Sequence, residues 1–324
     1  MTDVDETYNS ILKYILKNGV KKETRSGLVR SCFGGYARFE LSEGLPVLTT
    51  RKVFLRGVIE ELIWFLSGNT NIKPLLEKGV NIWNADAERY LNELIDKNNK
   101  ISESDGKADF IYKHPTHDEF IQGVLNEEKI TIFNENGSNE IKYGDLGPVY
   151  GKNWRHFGVN DVDQVKNLIE KLKTNPNDRR LLITGYNPDD VDTAALPPCH
   201  LLYQFYVTPN DKGKPKLSCS LYCRSQDFLL GTVFNWASAA ILTCMIAKIV
   251  DMEPDELIWV GGDVHVYENQ LEMVDELLLR NGYDTLPQLK FARDVKDIDD
   301  FKYEDFIIEG YKSNDPIKIP LSVG

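Results

Sequence analysis

The hydrophobic positions near the N-terminus recur at intervals of three and four residues. They are Tyr8, Ile11, Leu12, Ile15 and Leu16. Side chains at this spacing share one face of a helix, so the pattern predicts a helix over residues 5–17 that packs on a core and ends at Gly19. The apolar stretch 53–66 predicts a second helix, in which one of the adjacent carboxylates Glu60 and Glu61 is expected to face inward.

Short segments rich in β-branched and aromatic residues predict the strands. They cover residues 33–41, 180–186, 200–207, 216–222 and 257–260. Residues 210–213 have the composition of a hairpin loop between two of them. Further helices are predicted over 162–172, 235–250 and 264–280. This order favours an α+β fold, with an antiparallel or mixed sheet and helices on one side of it.

The middle of the chain has a different composition. From about residue 88 to residue 140 it is polar and irregular, with too few apolar positions to fold alone. We therefore predict a single domain over residues 1–324, with a polar insertion at about 88–140. A length of 324 residues is sufficient for one large hydrophobic core.

Composition narrows the classes of function. The chain is 42% hydrophobic and 27% charged, as in globular proteins, and its net charge is −12. An acidic protein is poorly suited to nucleic acid or to a membrane surface, because both are polyanionic. No apolar run approaches the roughly 20 residues of a membrane helix. The five cysteines and five histidines lack metal or disulfide spacing, so we expect no metal site and a cytoplasmic protein.

Two features suggest chemistry. Cys199 follows two prolines and precedes His200, an arrangement that suits a nucleophilic thiolate, although a lone cysteine is also compatible with a small buried side chain. Four arginines lie beside loop signals and suit a phosphate site, although each taken alone also suits an ordinary surface position: Arg25, Arg179, Arg180 and Arg224. Gly261 and Gly262 predict a turn from a strand into a helix. Spacing alone names no reaction.

A series of short blocks occurs in one order along the chain. They are 48–52 (LTTRK), 61–68 (ELIWFLSG), 144–151 (GDLGPVYG), 178–180 (DRR), 195–200 (ALPPCH), 204–207 (QFYV), 224–227 (RSQD), 234–238, 262–267 and 305–311. Together they resemble the thymidylate synthase family, from about Tyr8 to the C-terminus. The resemblance implies a homodimer built on a mixed sheet, which acts on dUMP with 5,10-methylenetetrahydrofolate.

The resemblance also implies catalytic roles. Cys199 adds to C6 of the uracil, which makes C5 nucleophilic toward the folate's one-carbon unit. Glu61 organises the protons and water near O4, and Tyr150 belongs to the network that removes the C5 proton. His200 and Trp83 complete the implied catalytic set.

Binding roles follow from the same blocks. The 5′-phosphate is assigned to Arg25, Arg224 and Ser225, joined by Arg179 and Arg180 from the other subunit. The sugar 3′-hydroxyl is assigned to His265 and Tyr267. Asn235 is implied to read the base, because its amide offers an acceptor to N3–H and a donor to O4. The folate side is assigned to Asp227, Trp83, Gly231 and Phe234.

Several positions depart from the family pattern around the pocket. They are Cys223, Trp236, Ala239, Asn84, Gln270 and the C-terminal residues 320–324. A remodelled wall and a displaced C-terminus would admit water to the exocyclic methylene intermediate. We therefore predict a deoxyuridylate hydroxymethylase of phage type, which forms 5-hydroxymethyl-dUMP in the host cytoplasm. The alternative is a thymidylate synthase, in which hydride transfer gives dTMP and dihydrofolate. A remote alternative is a non-catalytic nucleotide-binding homologue.

Overall fold

A computed structural model describes residues 1–104, 110–134 and 137–322 of the chain. The helices are α1 (Asp3–Asn18), α2 (Leu55–Leu66), α3 (Lys73–Glu77), α4 (Asn84–Ser104), α5 (His117–Leu125), α6 (Tyr150–Arg155), α7 (Gln164–Thr174), α8 (Gly231–Ile249) and α9 (Leu271–Leu279). The strands are β1 (Val20–Thr24), β2 (Gly27–Glu40), β3 (Lys129–Asn134), β4 (Gly137–Lys142), β5 (Leu182–Thr184), β6 (His200–Thr208), β7 (Lys216–Asp227), β8 (Glu253–Tyr267), β9 (Gln288–Phe291) and β10 (Phe306–Glu309).

The central sheet has the strand order β1-β2-β8-β7-β6-β5. Strands β7 and β8 run parallel, and the other neighbouring strands are antiparallel. Helices α1 and α8 pack on one face of this sheet, and α2 packs on α8. The predicted α+β class with a mixed sheet is therefore confirmed. Two further pairs, β3–β4 and β9–β10, form small separate sheets.

Helix α8 is the centre of the core. It is long and apolar enough to cross a membrane, but 83% of that stretch is buried inside the protein. Trp236 on this helix lies within 4.7 Å of the Phe39 ring and 5.7 Å of the Trp259 ring, measured between centroids. A helix that is apolar on every side needs partners all round it, and the sheet, α1 and α2 supply them.

On the other face of the sheet, large apolar side chains of the described residues remain exposed. Its register aligns Tyr36 with Val260 and Tyr222, and places Leu182 opposite Gln204. These positions alternate with buried residues such as Trp259, as expected when only one face packs on the core. Tyr36 and Tyr206 remain 56% and 67% exposed. An apolar, aromatic face of this kind is typical of a surface that meets a partner.

The prediction of a helix over 264–280 is wrong in its first part. Val264 to Tyr267 complete β8, a short 3₁₀ turn follows over Glu268–Gln270, and α9 starts only at Leu271. The predicted glycine turn is also absent, because Gly261 lies inside β8. A Cβ there would stand 2.6 Å from the Trp259 ring and from Val264, so the glycine permits close packing within the strand.

The prediction that residues 88–140 are irregular is also wrong for the residues that the structure describes. Most of α4, all of α5 and the β3–β4 hairpin lie in this region. Its polar residues build structure: the Asn98 side chain donates to Phe110 O and accepts from Phe133 N, and Asn99 does the same with Tyr112. Buried amides that replace backbone partners allow a polar sequence to fold. Residues 105–109 and 135–136 lie outside the described part.

Candidate active site

Cys199 lies where the chain enters β6, and Arg224 on β7 holds it there. The Arg224 backbone N–H donates to the Cys199 carbonyl at 2.9 Å. Its guanidinium donates to both preceding carbonyls, at 2.9 Å to Pro198 O and 2.6 Å to Pro197 O. Both carbonyls lie in the loop before β6, outside any helix or strand, so one side chain restrains the turn that carries Cys199. Cys199 is thus fixed at one end of the sheet and partly exposed.

The surroundings of Cys199 include groups that raise the pKa of its thiol and a group that lowers it. Burial raises the pKa of its thiol, the Arg224 charge lowers it, and the Asp86 carboxylate raises it. The net effect is a pKa above the ordinary value, so the thiol of the free protein carries its proton at neutral pH. Formation of the thiolate therefore depends on what binds beside it. Asp86 was not among the residues singled out from the sequence.

Tyr150 supports the same turn. Its hydroxyl accepts the backbone N–H of Cys199 at 2.8 Å and that of His200 at 3.4 Å. Burial raises its pKa well above the usual range, so the phenol stays neutral. Because both interactions use oxygen lone pairs, the O–H proton remains for donation. The structure places the predicted Tyr150 directly against the predicted nucleophile.

Glu61 and Trp83 meet beneath the pocket. Trp83 Nε1 donates to Glu61 Oε1 at 2.7 Å. Burial raises the pKa of Glu61 to about 7, and the bond from Trp83 opposes that rise. Glu61 stays partly accessible, whereas Glu60 is 4% exposed and pairs with Lys78 at 2.6 Å. A carboxyl group that titrates near neutrality suits proton transfer.

His200 is held as a neutral ring. Its Nδ1 lies 3.0 Å from the Tyr203 hydroxyl, and its ring packs 5.0 Å from that of Tyr150, between centroids. Burial lowers its pKa to about 4, and a side-chain hydrogen bond with Asn235 opposes the decrease. A ring that stays neutral above pH 4 orients its neighbours and carries no charge into the site.

Asn235 lies in the first turns of α8, with its side chain partly open. Its Nδ2 donates to Gln226 Oε1 at 3.1 Å. Gln226 is 2% exposed at the end of β7. Gln226 was not singled out from the sequence, where its only signal was its place in the RSQD block. The contact joins the implied base-reading residue to a buried amide.

Asp227 follows at the end of β7. Its Oδ1 accepts from Leu230 N at 3.1 Å, and its Oδ2 accepts from Gln270 Nε2 at 2.9 Å. Burial raises its pKa, and the bond from Gln270 is the largest effect in the other direction. Each oxygen keeps a lone pair, which fits the N–H donors of a folate heterocycle. Gln270 also donates to Pro320 O at 3.1 Å, which ties this carboxylate to the C-terminal segment.

The other residues assigned to the folate side lie close by in the chain. Gly231 begins α8, and Phe234 follows one turn later with its ring partly buried. Val323 and Gly324 lie outside the described residues.

His265 and Tyr267 project from β8, on the strand that runs beside β7. His265 Nδ1 lies 3.2 Å from Asp263 Oδ1, and the Ser31 hydroxyl donates to the same oxygen at 2.6 Å. The interaction with His265 is the largest factor that holds the pKa of Asp263 well below its usual range. The ring is thereby fixed in orientation beside Tyr267, whose centroid is 5.2 Å away.

Arg25 reaches toward this group of residues. It lies exposed in the turn between β1 and β2. Burial raises the pKa of both Asp86 and Tyr267, and the Arg25 charge acts against that rise. The charges of Asp227 and Cys199 also act on Tyr267. Ser225 follows Arg224 on β7, with its side chain partly exposed. The structure therefore brings cations to the same end of the sheet as Cys199.

Arg179 and Arg180 lie elsewhere. Both are exposed just before β5, and Arg180 pairs with Asp178 at 3.0 Å. The antiparallel register sets Leu182 opposite Gln204. That is five residues beyond Cys199, or about 17 Å along the strand. These two arginines are therefore not brought to the Cys199 of their own chain.

The prediction that Trp236, Ala239 and Cys223 lie around the pocket is wrong. All three are 0% exposed and belong to the hydrophobic core. Because Trp236 needs partners on every side, its ring turns inward toward β2 and β8 rather than to the pocket. Among the residues that the structure describes, no three histidine, cysteine or acidic side chains converge as a metal site.

These features form a candidate enzyme site: a partly exposed cysteine, a carboxyl group with a pKa of about 7 and two arginines, Arg25 and Arg224, at one end of a mixed sheet. The thymidylate synthase family model matches residues 6–323. The thymidylate synthase of Listeria innocua is 41% identical, over 98% of this chain and 99% of its own. Those of Saccharomyces cerevisiae and Mycoplasma mobile are 42% and 43% identical, each over 98% of this chain and over 97% and 100% of their own.

The chain belongs to the thymidylate synthase family. It is a folate-dependent one-carbon transferase that acts on dUMP. The family uses 5,10-methylenetetrahydrofolate as co-substrate and is generally dimeric.

Proposed function

We propose that this enzyme converts dUMP to dTMP, with dihydrofolate as the second product. The observation that carries the proposal is the position of Cys199, which Arg224 and Tyr150 fix beside Glu61's network at one end of the sheet. Full-length similarity to thymidylate synthases from bacteria and yeast supports the hydride route. A site this complete also argues against a non-catalytic homologue.

In the proposed mechanism, Cys199 adds to C6 of the uracil, which directs electron density onto C5 and O4. Protonated Glu61 supplies a proton toward O4 as negative charge develops there. Tyr150 belongs to the network that removes the C5 proton: two backbone N–H groups hold its oxygen, and its O–H donates to the water that accepts this proton. Loss of Cys199 from C6 as the thiolate then releases the product. The folate supplies the one-carbon unit and the hydride. Trp83, hydrogen bonded to Glu61, shields this end of the pocket from water.

Substrate recognition follows from the same layout. Arg224, Ser225 and Arg25 hold the 5′-phosphate, because guanidinium groups bind phosphate through paired N–H donors. His265 and Tyr267 bind the 3′-hydroxyl. Asn235 reads the base, and Asp227 takes the N–H groups of the folate heterocycle with Gly231 and Phe234 beside it.

The hydroxymethyl route is the competing outcome. The sequence-based argument for it rested partly on Trp236 and Ala239, and both are buried in the core. One observation still favours the route in which water attacks. Asn84 Oδ1, next to Trp83, is buried with no hydrogen-bond partner among the described residues, so it could hold a water molecule there. A role in phage DNA modification depends on that route. We propose hydride transfer because the core positions of Trp236 and Ala239 remove that part of the case for water, and because the full-length relatives are thymidylate synthases.

The product assay tests the proposal. Purified protein is incubated with dUMP and 5,10-methylenetetrahydrofolate, and the nucleotide is followed by mass spectrometry together with dihydrofolate absorbance. We expect dTMP and dihydrofolate in equal amounts, with no product when folate is omitted. Formation of 5-hydroxymethyl-dUMP without dihydrofolate would overturn the hydride assignment and establish water as the acceptor.

We also propose a cytoplasmic homodimer, in which the whole chain is one domain and residues 88–140 are peripheral. The exposed apolar face of the sheet supports the dimer, since Tyr36, Tyr206 and Leu182 stay exposed in a single chain. Arg179 and Arg180 lie at the β5 edge of that face, far along the sheet from their own Cys199. A twofold partner would carry them to the other site.

A subunit-mixing experiment tests the crossing arginines. Cys199→Ala is co-expressed with Arg179→Ala/Arg180→Ala, each inactive or weak alone. If the arginines serve the partner, each mixed dimer has one complete site, so random pairing restores about one quarter of the wild-type activity. Mixing Cys199→Ala with itself is the control. No recovery would place the arginines in the site of their own chain.

A further inference from the structure

The buried Gln226 amide determines which way the side-chain amide of Asn235 faces. Asn235 Nδ2 donates to Gln226 Oε1 at 3.1 Å, and Gln226 is 2% exposed. A carbonyl oxygen only accepts hydrogen bonds, so this contact requires the nitrogen of Asn235 on the Gln226 side. On the other side, the bond between Asn235 and the His200 ring favours the protonated ring, as an acceptor oxygen does. The two neighbours thus agree on one orientation.

The orientation of Gln226 is itself constrained. Its Nε2 lies 3.5 Å from the backbone oxygen of Asp227. If the Gln226 amide were reversed, its oxygen would face that carbonyl, with acceptor against acceptor. Gly231 leaves the space that the amide nitrogen needs, because a Cβ there would stand 3.2 Å from Nε2. A main-chain carbonyl therefore orients Gln226, and Gln226 orients Asn235.

This direction matters for the base. Uracil offers an N3–H donor and an O4 acceptor, whereas cytosine offers an N3 acceptor and an N4 donor. The observed Asn235 amide has one Nδ2 proton and one Oδ1 lone pair left, which match uracil. To match cytosine the amide must turn over, which sets Oδ1 against Gln226 Oε1 in a buried place. Two acceptors without a proton between them are unfavourable there.

We propose that Gln226 is a specificity-determining positioning residue, which locks the Asn235 amide in the orientation that accepts uracil and rejects cytosine. The inference rests on the proposed role of Asn235 in dUMP binding, but it concerns a residue that does not touch the substrate. It attributes part of the discrimination between dUMP and dCMP to a buried amide–amide contact on the protein side of the pocket.

The test measures equilibrium binding of dUMP and of dCMP by calorimetry, without folate. Gln226→Met keeps the length of the side chain and removes the acceptor. We expect weaker dUMP binding and unchanged or tighter dCMP binding, so that the ratio of the two affinities falls about tenfold. Gln226→Glu keeps an oxygen acceptor facing Asn235 and should retain the ratio.

Two controls keep the result specific. Ser218→Ala, also buried on β7 but bonded to Asp255, should leave the ratio unchanged. If Gln226→Met does not fold, as judged by thermal unfolding, Gln226→Asn serves instead, since its amide is one methylene too short to reach Asn235. Equal losses for both nucleotides, or an unchanged ratio, would overturn the inference. Failure of the wild type to bind dUMP would instead overturn the proposed function.

Discussion

Replacing Cys199 with alanine is expected to abolish formation of dTMP, with a loss of about 10⁴-fold or more in turnover. The reason is that no other group in the described site can add to C6. Cys223 lies close in the chain to Arg224, but its thiol is fully buried and its pKa is raised strongly by burial. Product is measured by mass spectrometry under saturating dUMP and folate.

The substitution should impair only the chemical step, and not substrate binding or folding. Arg224 keeps its position through backbone contacts, so Cys199→Ala should still bind dUMP and unfold near the wild-type temperature. Covalent adduct formation with dUMP and folate, visible as a mass increase of the intact protein, should vanish. Cys32→Ala is the matched control, because Cys32 is also partly exposed but lies on β2. Substantial turnover by Cys199→Ala would exclude the proposed nucleophile.

Replacing Glu61 with glutamine is expected to lower turnover by about 10²- to 10⁴-fold. Glutamine keeps an oxygen for Trp83 Nε1 but cannot release a proton toward O4. In the wild type the protonated carboxyl is the active form, so its rate should fall as pH rises through about 7, the pKa of Glu61. That titration should be absent from the Glu61→Gln profile.

The Glu61→Gln substitution should raise stability at high pH although it lowers turnover. The pKa of Glu61 rises from 4.5 to about 7 on folding, so the folded state holds this proton more tightly than the unfolded state. Its contribution to stability therefore decreases as pH rises from 4.5 to about 7. At pH 8, Glu61→Gln should be the more stable protein, by on the order of 1–3 kcal/mol, because Glu61 stays partly accessible.

Chemical denaturation at pH 5 and pH 8 measures this difference. Glu60→Gln is the control, since Glu60 lies on the same helix but pairs with Lys78 outside the pocket. It should leave the pH profile of turnover unchanged. A titration near pH 7 that persists in Glu61→Gln would assign it to another group.

Some residues of the site could be predicted from the sequence and others could not. The sequence was sufficient to single out Cys199 from its local pattern, and Glu61 and Asn235 from the resemblance of their blocks to the thymidylate synthase family. It was not sufficient for Gln226, whose partner is nine residues away across the junction of β7 and α8. The effect of Asp86 on the pKa of Cys199 was likewise invisible, since α4 meets the segment before Cys199 only in the folded chain, where Arg89 donates to Ala195 O.

The sequence by itself determined the elements whose apolar periodicity is regular, including α1, α2, α7 and the β6–β7 hairpin, because that periodicity is local. It also singled out Cys199 and Arg224 as candidate site residues. Only the tertiary structure decided that β8 continues through His265, since pairing with β2 and β7 outweighs the local signal of two glycines. Burial likewise decided the pKa of Glu61, the inward position of Trp236 and the direction of the Asn235 amide. Desolvation and packing depend on neighbours that are distant in the chain, so no local pattern encodes them.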